Sequence, residues 1–170
     1  DQVEAFTRRA EALKIGVTQN LMSHIAEQTD VFNGQVYKGG LATEIDLVLS
    51  SPESETRIEQ SAYRVSELTK AEAKRLGLKD DAKKALLKEN MSNVYSASIN
   101  ALIDKKNLSQ AQAFYDKNKD KILGDERVKI EVALQQESEL EQIQFEIEGQ
   151  ISKDVSLGDA LKYIRTKFDG

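Results

Sequence analysis

The chain has 170 residues and a formal net charge of −5, with 39% hydrophobic and 31% charged residues. That length suits one domain or an elongated array of helices, and the negative balance gives no general case for a nucleic-acid-binding protein. The absence of cysteine excludes disulfides, thiolate metal sites and cysteine nucleophiles in this segment.

One proline, no tryptophan, five Phe and five Tyr, with many Ala, Leu, Glu, Lys and Gln, mark an all-α chain. From Val3 to about Thr29, Phe6, Ala10, Leu13, Val17, Leu21 and Ile25 recur at helical spacing and predict a long amphipathic helix. Asn33-Gly34 and Gly39-Gly40 then bracket an expected polar loop, and Leu41 to Leu49 an expected shorter helix. Ser51-Pro52-Glu53 reads as the next helix start, with a capping hydroxyl, a first-position proline and an acid in the first turn. That helix carries Ile58, Tyr63, Val65 and Leu68 and ends at Gly77 as a left-handed cap, with Leu78 packing back.

Asp80 or Asp81 opens a long helix in which Met91, Val94, Tyr95, Ile99 and Leu102 form a stripe. Lys105-Lys106-Asn107 interrupts it, and Ser109 with Gln112 resembles a capping box for a second helix carrying Leu108, Ala111, Phe114, Tyr115 and Ile122. Gly124-Asp125 marks another break. A helix from about Glu126 to Ile151 carries Val128, Val132, Leu134, Leu140, Ile143, Phe145 and Ile147 and must expose a glutamate-rich face. Ser156 with Asp159 starts a last short helix with Leu161, Ile164 and Phe168 on one face.

The expected architecture is six to seven helices in consecutive antiparallel hairpins, a tetratricopeptide-like (TPR-like) array. Residues 1–50 form one region of long helix, glycine-containing loop and short helix, and residues 51–170 the hairpin array. Against the tetratricopeptide pattern, the hairpin at 95–123 supplies Tyr95, Leu102, Ala111 and Tyr115. Ile99 stands where that pattern has a small residue and Leu123 where it has proline. No second copy occurs at a period of about 34 residues.

Candidate chemistry is sparse. His24, the one histidine, has Leu21 three residues before it, so the Glu-x-x-His motif of di-metal bundles is absent. The carboxylate groups Asp80/Asp81, Glu137/Glu139/Glu141 and Glu146/Glu148 sit on charged helix faces without aromatic sugar platforms, and surface charge is the better reading. Gly34 to Gly40 lacks the Gly-x-x-x-x-Gly-Lys-Ser/Thr order of a phosphate cradle. No catalytic residue, cofactor or metal ligand is assigned, and no run reaches the ~18 apolar residues of a membrane span.

Charge is unevenly distributed. Lys70 to Lys121 holds twelve basic and seven acidic residues, and Asp125 to Glu148 eight acidic and two basic. The plainer reading is solvated helix faces; the alternative is one subunit's basic face meeting another's acidic face. Lys74, Arg75, Lys79, Lys83, Lys84 and Lys88 form the candidate interaction surface, with Lys70 beside them. They would also allow non-specific contact with DNA phosphates, against which stand interleaved acids and a lack of stacking aromatics.

The order of elements resembles a segment of large structural proteins of tailed bacteriophages. The matching stretches are AKRLGL at Ala73–Leu78, NVYSASINALIDKKNLSQAQAFY at Asn93–Tyr115 and VSLGDALKYIR at Val155–Arg165. Internal virion or ejection proteins of short-tailed phages, and some tail-associated lytic proteins, carry regions of this type. The resemblance covers residues 60–168 and rests on helix junctions and small residues, not on a catalytic signature. It implies a non-enzymatic assembly region located in the virion, packing against copies of itself or other virion proteins and lining a channel for DNA. Any peptidoglycan-cleaving activity would lie in a separate domain. The alternative expectation is a bacterial cytoplasmic adaptor holding a partner peptide in a helical groove. The chain starts at Asp1 without Met and stops at Gly170 on a helical pattern, so it reads as a segment of a longer protein.

Overall fold

A computed structural model describes residues 2–151 and 157–168. They form six α-helices and one short 3-10 turn: α1 Gln2–Ser50, α2 Glu55–Arg75, α3 Asp80–Asp104, α4 Leu108–Asn118, α5 Gly124–Ile151 and α6 Leu157–Phe168. No strand occurs among the described residues. The chain is all-α, with successive helices packed as hairpins.

One core joins the first five helices. Val48 of α1, Ile58 and Val65 of α2, Tyr95, Ile99 and Leu102 of α3, Ala111 and Phe114 of α4, and Ile130 and Leu134 of α5 are all buried. The expected hairpin stripes of α3 and α4 are therefore the stripes the fold buries. Polar bonds fix the register of the layers. Asn90 in α3 donates to the Tyr37 hydroxyl of α1 at 2.6 Å and to Thr69 of α2 at 3.0 Å. Ser98 donates to the Pro52 carbonyl at 3.0 Å, and the Leu123 amide donates to Ser92 at 3.0 Å. These pairings run α1, α3 and α5 in one direction, with α2 and α4 opposed.

The polar loop expected at Asn33–Gly40 and the separate helix at Leu41–Leu49 are not formed: α1 is continuous over 49 residues. Glycine costs a helix about 1 kcal/mol, and here packing offsets it. Asn33, Gly34, Tyr37, Gly40 and Leu41 all turn partly inward against the body. Gly40 lets α2 come close, since a Cβ there would lie 3.1 Å from Leu68 Cδ1. None of the α1 glycines has positive φ, so none makes a turn, and close approach is used at Gly40, whereas a Cβ at Gly16, Gly34 or Gly39 would meet nothing within 4 Å.

The starts of α2 and α4 shift. α2 begins at Glu55 with Ser54 as N-cap, because Pro52 is buried in the turn and its carbonyl is engaged by Ser98. α4 begins after Asn107, so Ser109 lies inside the helix and Gln112 bonds forward to Asp116 at 3.0 Å instead of closing a capping box. α3 opens at Asp80, as expected, with Lys79 at its N-cap and Asp81 also in the first turn. The Gly77 cap forms as expected. Gly77 sits at φ +61°, its amide donates to Lys74, and the Leu78 amide donates to Ala73 at 2.9 Å. Lys106 closes α3 in the same way at φ +59°. Ser156, the expected start of the last helix, lies outside the described residues.

Candidate interaction surfaces

The α2–α3 corner gathers the basic residues. Lys74, Lys79, Lys83, Lys84 and Lys88 are exposed there. A helix turns about 100° per residue, so they divide between two sides of α3. Lys83 joins Lys70 and Lys74 around a groove of about 590 Å³ that also meets Glu67 and Asp80, whereas Lys84 and Lys88 turn away from it. Arg75 leaves the set. Its guanidinium bonds Glu72 at 2.7 Å and Asp30 of α1, tying α1 to the corner. The bond from Arg75 holds the Glu72 carboxyl below its ordinary pKa, and the same bond raises that of Arg75.

The acidic helix occupies the other end. α5 starts beside Ser92 and passes Tyr115 at Glu131 and Lys106 at Glu137. Lys106 marks the end of α3, so α5 from Ser138 onward runs past the core. Glu139, Glu141 and Glu148 are exposed on that stretch. The basic corner, at the start of α3, and the acidic projection, beyond its end, therefore lie at opposite ends of the body.

Between them lie two partly buried polar contacts that sequence spacing did not reveal. Burial and a hydrogen bond donated to Glu131 push the Tyr115 phenol up to about 12. Lys121 lies 4.5 Å from the Tyr95 ring centre and donates to its hydroxyl at 3.0 Å. Burial opposes the lysine charge, but that bond and Glu59 outweigh it and raise the Lys121 pKa.

The remaining candidates are dispersed. His24 is exposed on α1, and the Gly34–Gly40 stretch is helix interior. Among the described residues no three His, Cys, Asp or Glu gather as a metal site, and no helix is long and apolar enough to cross a membrane. The stripe expected to anchor the first helix has no cover: Phe6 is 75% exposed, Leu13 and Val17 66%, Leu21 57% and Ile25 54%. Spacing identifies such a stripe but does not say whether this chain or another covers it. No protein-family model, curated protein or solved structure matches the chain.

Proposed function

We propose that this chain is a non-enzymatic assembly module of a phage or prophage virion protein, of the internal, ejection or tail-associated kind. Copies would pack head to tail, the basic α2–α3 corner of one meeting the acidic end of α5 of the next. The observation that carries this reading is the placement of opposite charge at opposite ends of one body. A contact between two different surface patches is heterologous and propagates into rings or filaments. The virion setting comes from the resemblance of the helix junctions, of which Ala73–Leu78 and Asn93–Tyr115 lie wholly in the described structure.

The test is the mass of the purified chain by light scattering at low and high salt. Exposed charges more than a Debye length apart, about 10 Å at 0.1 M, are largely screened. Assemblies larger than a dimer at low salt, lost as salt rises, are expected. A mass that never exceeds a dimer at low salt would overturn the head-to-tail reading, and a salt-indifferent monomer would turn it toward the groove-binding adaptor.

A further inference from the structure

Residues 2–29 of α1 lie beyond Asp30, where the Arg75 ion pair marks the edge of the body, and form a helical projection about 42 Å long. Helices in water owe most of their stability to packing of an apolar face, and here that face is bare. From the geometry we infer that this projection pairs antiparallel with the same helix of a second copy. Val17 meets its counterpart on the two-fold axis, and Leu13 faces Leu21 of the second copy. This deepens the assembly reading by naming a second, apolar contact between copies.

Charge selects the second copy and the direction. Arg9 and Glu27 lie about five helical turns apart, hence on the same flank of α1. Neither has an ion-pair partner among the described residues. With Val17 on the two-fold axis, antiparallel pairing brings each Arg9 beside the other copy's Glu27, twice by symmetry. Parallel pairing in register would instead bring Arg9 toward the other copy's Lys14. The same antiparallel register sets Ala10 against His24, a small residue opposite a large one.

The area suffices. Phe6, Leu13, Val17, Leu21 and Ile25 are each more than half exposed. Covering them on both copies removes on the order of 1,000 Å² from water, the lower bound for a stable interface. The interaction is chiefly apolar, so it persists in high salt, where the charged end-to-end contact does not.

The chain contains no cysteine, so single thiols report the pairing directly. At high salt the wild type is expected to be a dimer, and Val17→Asp a monomer of unchanged helical body. Under mild oxidation Leu13→Cys chains mixed with Leu21→Cys chains should give mixed disulfide dimers, with little linkage in either alone. Arg9→Glu should weaken the dimer about tenfold and the double variant Arg9→Glu/Glu27→Arg restore it. Self-linkage of Leu13→Cys in preference to the mixed product would overturn the antiparallel register. A high-salt monomer would overturn the pairing altogether, leaving the head-to-tail reading intact if mass still rises at low salt. A dimer at every salt with nothing larger would leave the pairing and remove the head-to-tail contact.

Discussion

Tyr115 shows how one side chain records the packing of the α4–α5 layer. It is 3% exposed, and its hydroxyl donates to Glu131 across the hairpin. Burial, first, and the neighbouring carboxylate, second, disfavour the phenolate and raise its pKa from 10.0 to about 12. A pKa raised in the folded state means that the folded chain holds the proton more tightly. The associated stability is intact below pH 10 and is lost as pH climbs toward 12. Tyr115→Phe should remove the hydrogen bond and cost about 1 kcal/mol at neutral pH. It should also flatten the fall in stability between pH 10 and 12. Denaturant midpoints across that range are the measurement, and an unaltered alkaline slope in the phenylalanine variant would remove Tyr115 as its source.

At the scale of the element, α1 separates what spacing determines from what packing determines. The stripes of α3 and α4 were legible because both sides of that hairpin are buried, so Val94, Ile99 and Leu102 had to be apolar, as did Phe114. Glycine identifies a turn only where its conformational freedom is used. At Gly77 φ is positive and the turn was legible, whereas at Gly34, Gly39 and Gly40 the helix simply continues. Gly39 is exposed and a Cβ there meets nothing within 4 Å. Gly39→Ala should therefore stabilise the chain by up to about 1 kcal/mol, read as a raised thermal midpoint. In a flexible loop the same change would do little, so a null result would argue for a break in α1. The candidate surface was legible less fully. Exposure of the lysines follows from composition, but the division of Lys83 from Lys84 and Lys88, and the diversion of Arg75 to Asp30, require the α2–α3 geometry.

At the scale of the molecule, the two ends present different chemistry, and this makes the head-to-tail contact separable into halves. Reversing Lys83, Lys84 and Lys88 to Glu removes the basic end; reversing Glu139, Glu141 and Glu148 to Lys removes the acidic end. Neither set touches a buried side chain, so both variants should fold. In a Val17→Asp background, which removes the pairing of α1, each alone should stay monomeric at low salt. A head-to-tail contact allows no rescue through a reversed end meeting a native end of the same sign. The two variants do, however, each retain one native end, basic in one and acidic in the other. Mixed one to one, they should join through the native ends and grow on into alternating chains, because the remaining ends, an acidic corner and a basic α5, are again of opposite charge and belong to the same two patches. Growth that stops at a dimer would show that charge sign alone does not make the contact, and sedimentation separates the two cases by mass. Both require contact between the α2–α3 corner and α5. A mixture that remains monomeric while the Val17→Asp parent assembles would place the contact elsewhere on the body.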